Sequence, residues 1–285
     1  MSLIKPFDPW QSKLCTCPPK LTLNPYTGCD HDCLYCYASS YIPKFHVCRP
    51  KKDLIPKLRK EAAKLRGEIV SIANSSDPYP NIEAETGLMR KCLQILTQQN
   101  CKIQIITKST LITRDIDLLK RIPSMASLTI TTDNDQTARL LEPNTPPPSR
   151  RIETAKTLIQ KGIATSVRID PIIPFLNDNP ENLIKTLAKI GIKHITASTY
   201  KAKPDNWQRL TKALQPQTAE KLEHLYFMNG ERISRYVYLP KDLRLKIMQN
   251  MATLTKNYGM KFGTCREGLS QVNTAACDGS WLLIK

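Results

Sequence analysis

The segment Gly28-Cys29-Asp30-His31-Asp32-Cys33-Leu34-Tyr35-Cys36-Tyr37 carries three thiols in a Cys-x3-Cys-x2-Cys spacing. In a reducing compartment such a cluster signals a metal site rather than disulfide partners. Thiolates this close in sequence can wrap one compact centre. A structural zinc site asks for four ligands and tetrahedral closure, and no fourth ligand stands at zinc-finger spacing. Three thiolates suit a [4Fe–4S] cluster whose fourth iron is left open for a substrate. Cys29, Cys33 and Cys36 are the expected ligands.

Such a loop needs a scaffold, and the chain around it alternates strand-like and helical runs. Strands are expected at residues 21–23, 69–73, 103–107, 128–131, 164–169 and 194–197. Helical stretches fall between them at 51–66, 85–99, 115–120, 150–160 and 182–189. About six such βα units imply a parallel sheet. The chain has only 10 glycines and no Gly-x-Gly-x-x-Gly after a strand, so a partial barrel fits better than a dinucleotide-binding sheet. Residues 207–258 read as helical and 262–285 as irregular. The expected fold is α/β, a partial (β/α)6 barrel over 1–200 with a helical and irregular C-terminal extension, 201–285, closing on it.

Composition agrees with one large domain of 285 residues that is 41% hydrophobic, which excludes a disordered chain. No apolar run reaches the roughly 18 residues of a membrane helix. The opening residues lack the apolar core of a secretion signal, so a cytoplasmic location is expected. The net charge of +17 suits a polyanionic partner such as nucleic acid. Residues 44–66 hold nine basic against two acidic side chains, Lys57, Lys60 and Lys64 among them. A second basic region, 232–246, interleaves Tyr236 and Tyr238, and aromatics among cations can stack bases.

Four further cysteines, Cys15, Cys17, Cys265 and Cys277, lie outside the regular elements and have no local metal spacing. Because the two ends of a barrel chain often meet, three readings stay open for them: an auxiliary iron–sulfur cluster, a structural zinc, or free thiols. Cys92 and Cys101 read as core thiols and Cys48 as a free one.

The cysteine signature resembles the radical SAM superfamily over nearly the whole chain. The resemblance narrows to the spore photoproduct lyase-like branch through Cys33-Leu34-Tyr35-Cys36-Tyr37, Ser75-Ser76-Asp77 and Thr107-Lys108-Ser109. Glu142-Pro143, Arg151-Ile152-Glu153 and Pro171-Ile172-Ile173-Pro174 continue the pattern in order. It implies a radical SAM barrel with a [4Fe–4S] cluster and S-adenosylmethionine (SAM). Reductive cleavage of SAM would give a 5′-deoxyadenosyl radical, with an electron donor such as ferredoxin or flavodoxin. By the same resemblance Ser76 and Lys108 contact the methionine end of SAM, with Thr129, Thr131 and Arg151 as weaker candidates. Ser76, Lys108 and Thr131 stand at strand ends, where ligands bind in barrels. Tyr35 and Tyr37 either relay a hydrogen atom, as the family implies, or pack the cluster loop.

One departure matters. Where the lyases carry a hydrogen-donating cysteine, this chain has Asn74, which cannot quench a carbon radical. Efficient spore photoproduct repair is therefore not expected. The reading is a radical SAM enzyme acting on a nucleotide in RNA or DNA. The alternatives are a radical SAM enzyme modifying a peptide or small metabolite, and a non-catalytic iron–sulfur protein that binds nucleic acid.

Overall fold

A computed structural model describes residues 2–7, 12–72 and 75–284. Asn74 lies outside these described residues. Among them, eight strands form the main sheet: β1 (Lys5–Pro6), β2 (Leu21–Leu23), β5 (Ile69–Ile72), β6 (Lys102–Thr107), β7 (Ser124–Thr129), β8 (Ala164–Ile172), β9 (His194–Thr199) and β12 (Lys261–Thr264). They are adjacent in that order, antiparallel between β1 and β2 and parallel elsewhere. Two short pairs stand outside it: β3 (Tyr26–Thr27) with β4 (Arg49–Pro50), and β10 (Glu231–Ile233) with β11 (Tyr236–Tyr238). All six expected strands are present in a parallel α/β sheet.

The sheet has two chemically different faces, which follow from strand alternation. Ile103, Ile105, Ala126, Leu128, Val167, Ile169, Ile195 and Ala197 pack outward against the helices. The helix Leu54–Ala62 contributes Leu54, Leu58 and Ala62, and Leu88–Leu96 contributes Met89, Cys92, Leu93 and Leu96. These are the i, i+4 and i, i+3, i+4, i+7 rows that face one side of a helix. The helix expected over 85–99 is broken at Gly87, whose φ of +56° suits glycine.

Gln104, Ser127, Ser166 and Thr196 alternate with those apolar positions and lie buried on the inner face. The inner face at the starts of the strands is filled by the C-terminal tail. Thr196 Oγ1 donates to Cys277 O at 2.8 Å, and Gln104 Nε2 donates to Asp278 O at 3.0 Å. Lys20 ion-pairs with Asp278 there. The tail is therefore ordered, and the stretch expected to be irregular contains β12. Gly263 permits the approach: a Cβ at that position would lie 2.5 Å from Cys277 Cα. The stretch expected to be helical also holds the β10–β11 hairpin.

Trp281 Nε1 donates to His194 Nδ1 at 3.1 Å, and burial pushes the His194 pKa down to about 4. An unfolded histidine titrates near ~6.5, so between the two values the unfolded chain binds more protons and stability rises with pH. This group alone is expected to remove about 2–3 kcal/mol of stability between about pH 7 and pH 4. Urea unfolding of the metal-free chain at both pH values measures it. His194→Gln should lose that share of the pH dependence; an unchanged dependence would refute the assignment.

Candidate functional site

The cysteine loop leaves the C-terminal end of β2 and is fastened from three sides. Pairing of β3 with β4 holds its base. Gly28, at φ +80°, lies so close to the 45–47 segment that a Cβ would be 2.4 Å from Val47 O. Cys29 N donates to Phe45 O at 2.7 Å. From the opposite side, the helix Pro204–Lys212 reaches over the loop. Arg209 donates to Cys33 O at 2.8 Å and Cys36 O at 2.9 Å, and Asn206 Nδ2 donates to Tyr35 O at 3.0 Å. The loop's backbone demands are met by these neighbours.

Cys29 and Cys33 are buried and Cys36 is half-buried. The Cys36 side chain packs against both small apolar groups that hold the other two, one with Ala38 and Phe45, the other with Tyr35 and Leu141. Burial pushes the Cys33 thiol up to about 12, with Lys108 opposing, and burial likewise raises Cys29 and Cys36. Among the described residues, no three His, Cys, Asp or Glu side chains converge on one metal ion. A cubane cluster holds its thiolates on separate irons and so spaces them more widely than one ion does.

The strand-end candidates fall into two groups. Lys108 Nζ lies 5.5 Å from the centre of the Tyr35 ring and within electrostatic reach of Cys33 and Cys36. Burial alone would lower its pKa, but Cys33, when ionised, and the Glu142 carboxylate outweigh that and raise it. Ser76 is buried, and its Oγ has no hydrogen-bond partner. That orphaned hydroxyl sits beside Asp77, which binds Lys108 N at 2.8 Å and Thr107 Oγ1 at 2.6 Å and pairs with His31 of the cysteine loop. A cation beside the thiols and an unpartnered buried hydroxyl fit a ligand with a carboxylate and an amine.

Thr131 and Arg151 are committed elsewhere. The Arg151 guanidinium donates to Pro146 O, Thr129 O and Thr145 Oγ1 and ion-pairs with Glu142 at 2.5 Å. Thr131 Oγ1 donates to Glu142 at 3.1 Å, and Tyr35 donates its hydroxyl to the same carboxylate. Burial would raise the Glu142 pKa, yet the Arg151 and Lys108 charges hold it below its ordinary value. Arg151 and Thr131 therefore position Glu142, which in turn holds the Tyr35 ring beside the loop. Thr129 is buried and contributes its carbonyl to Arg151.

Tyr37 points to a different neighbourhood. It meets Tyr236 edge-on at 5.7 Å, and Arg266 lies over both rings, at 5.8 and 5.3 Å. Lys203 lies 4.7 Å over Tyr236 and 5.7 Å over Tyr41. Arg266 Nε is buried without a partner. Sequence reading singled out Tyr236 in its basic stretch, but Arg266, Lys203, Arg209, Asn206, Asp77 and Glu142 were not marked as site residues. Asp77 and Glu142 fall inside the quoted motifs without a role assigned there, and no local spacing signals the other four, whose contacts with the cysteine loop and its neighbours come from distant parts of the chain. Lys57, Lys60 and Lys64, by contrast, stand exposed on and just after the outer helix Leu54–Ala62.

A model of the Radical SAM superfamily matches residues 23–199. An uncharacterised protein of Mycobacterium tuberculosis is 25% identical over 263 residues, which cover 85% of this chain and 75% of that protein. The radical SAM Nalpha-GlyT isomerase of Pseudomonas phage M6 is 24% identical over 255 residues, 85% of this chain and 53% of the isomerase. A spore photoproduct lyase variant with bound AdoMet and dinucleoside spore photoproduct shares the fold: TM-score 0.67, 15% identity, 90% of this chain and 79% of that one. Among the described residues, no helix is long and apolar enough to cross a membrane.

Proposed function

Because the chain belongs to the radical SAM superfamily, we propose that it cleaves SAM reductively and uses the resulting radical on a nucleotide within RNA or DNA. The superfamily implies SAM and a [4Fe–4S] cluster, and the residues fit both. Cys29, Cys33 and Cys36 would hold the cluster, and Ser76 and Lys108 would meet the amine and carboxylate of SAM. The observation that carries this reading is the orphaned Ser76 hydroxyl and the Lys108 ammonium at neighbouring strand ends, beside three loop thiols. When bound, the reduced cluster supplies the electron that breaks a sulfonium carbon–sulfur bond of SAM and yields the 5′-deoxyadenosyl radical.

The chain's own work is binding and shielding. Arg209 and Asn206 fix the loop backbone, which leaves the thiols free to ligate. Glu142 fixes Tyr35, whose ring shields the Lys108 side of the loop. A soluble one-electron donor, such as a ferredoxin or flavodoxin, supplies the reducing equivalent in a cytoplasmic setting.

Nucleic acid is the substrate class that the Tyr37, Tyr41, Tyr236, Lys203 and Arg266 group favours, because clustered rings with cations over them suit bases and phosphates together. The lyase structure with its bound dinucleoside supports the same class by likeness of fold. Affinity for a short single-stranded oligonucleotide is therefore expected to fall steeply with salt. The double variant Tyr236→Ala, Arg266→Ala should weaken it about 10-fold or more, as base stacking is worth ~1–3 kcal/mol per base. Replacing Lys57, Lys60 and Lys64 by Glu should weaken binding across sequences by the same salt-dependent route. Affinity indifferent to salt and to both sets of changes would favour a peptide or small-metabolite substrate.

A further inference from the structure

Four of the seven cysteines outside the loop, Cys15 and Cys17 near one end of the chain and Cys265 and Cys277 near the other, come together in space. Cys17 and Cys277 place their sulfurs 3.4 Å apart. Cys15 hydrogen-bonds Cys17, and Cys265 lies within electrostatic reach of the same thiol. The fold dictates this meeting. β12 pairs with β9 and delivers Cys265, whose N donates to Ala197 O at 2.8 Å. The tail then doubles back, with Thr274 N bonded to Phe262 O and the Cys277 backbone pressed on Gly263. The N-terminal segment reaches the same place, where Leu14 lies against Gly268.

Two cations lie within electrostatic reach of the group, each also paired with a carboxylate: Lys20, near Cys17, with Asp278, and Arg168, near Cys265, with Asp170. Four thiolates on one divalent ion, or on an iron–sulfur cluster, carry net negative charge that Lys20 and Arg168 would offset. Two thiolates on one tetrahedral ion, each about 2.3 Å from it, lie about 3.8 Å apart, close to the Cys17–Cys277 separation. No three of the described side chains converge on one ion as they stand. Cys15 and Cys265 are half-buried rather than locked in the core, so rotamer changes can bring them in.

We infer that Cys15, Cys17, Cys265 and Cys277 form a second, thiolate-bound metal site that ties both chain ends to the sheet. Its ligand is a thiophilic metal centre, either zinc or iron with sulfide, and each thiol gives up its proton on binding. The inference does not rest on the substrate proposed above, although Cys265 adjoins Arg266 of that group.

The test uses the full chain with Cys29, Cys33 and Cys36 replaced by alanine, so that only the second site can bind. The chain is loaded anaerobically with iron and sulfide, or with zinc alone, and its metal is counted. The expected content is about one zinc, or about two to four irons, per chain. Adding Cys17→Ala and Cys277→Ala should abolish it. No metal above background with either loading, or metal unchanged by the added substitutions, would overturn the proposal. The wild-type chain gives a reading that does not depend on how the variants fold. Cys15 and Cys265 should resist alkylation in metal-loaded protein and react after chelation. Equal alkylation in the two states, or a Cys17–Cys277 disulfide in place of metal in anaerobically prepared protein, would also overturn it.

Discussion

Replacing Cys29, Cys33 and Cys36 together by alanine is expected to abolish formation of 5′-deoxyadenosine from SAM under reducing, anaerobic conditions. A cluster held by three thiolates leaves one iron open, and no other described group stands ready to replace the set. The reconstituted variant should lose about four irons relative to wild type. Product should fall by at least about 10³-fold, equivalent to ~4 kcal/mol of lost barrier reduction. The fold should survive, because the loop is held by backbone contacts from Phe45, Arg209 and Asn206 rather than by the thiols. Undiminished product from the variant would end the radical SAM reading of this loop.

A second large effect is expected at Glu142. Its carboxylate is fully inside the protein and serves Arg151, Tyr35 and Thr131 at once. Glu142→Ala leaves the Arg151 guanidinium buried without its anion and two hydroxyls without their acceptor. Breaking a buried pair in this way costs about 3–5 kcal/mol. For a chain of this size that corresponds to a melting temperature lower by roughly 6–20 °C. Glu142→Gln keeps one acceptor oxygen and should lose less. Adding Arg151→Met to Glu142→Ala should recover part of the loss, since it removes the stranded charge. Thermal unfolding of the set checks this, and a Glu142→Ala chain as stable as wild type would show that the pair carries no net stability. Tyr35 would also lose its tether, so the same variant should bind SAM more weakly.

The outer face of the sheet is readable in sequence because it is apolar and periodic. Ile103, Ile105, Val167, Ile169, Ile195 and Ala197 mark their strands, and helix rows such as Leu54, Leu58 and Ala62 mark the layer that covers them. The inner face misleads. Ser127, Ser166 and Thr196 are buried yet polar, so β7 reads as beginning at 128 when it begins at Ser124, and β8 reads as ending at 169 when it runs to Ile172. β12 is four residues with a glycine in the middle, and its place depends on the tail behind it, which no local pattern reveals.

The site divides in the same way. The loop cysteines announce themselves by spacing, and the residues at strand ends become visible through family motifs. Arg209 and Glu142 act on residues more than 100 positions away, by a hydrogen bond to Cys33 O and by the hydroxyl of Tyr35. Arg151 looks like a ligand contact from its motif, but once folded it spends its donors inside the protein. Motif position identifies a neighbourhood, and only the folded chain separates the groups that face a ligand from those that hold them in place.

The central claim is that a SAM-derived radical made at this loop acts on nucleic acid. Its most direct test is mass spectrometry of nucleosides, resolved chromatographically, from cells producing the wild-type chain and from cells producing the Cys29, Cys33, Cys36 alanine variant. The account predicts at least one nucleoside, shifted in mass or in retention, that is present with the wild type and absent with the variant. Identical nucleoside profiles from the two, with an active wild-type enzyme that still cleaves SAM, would contradict it.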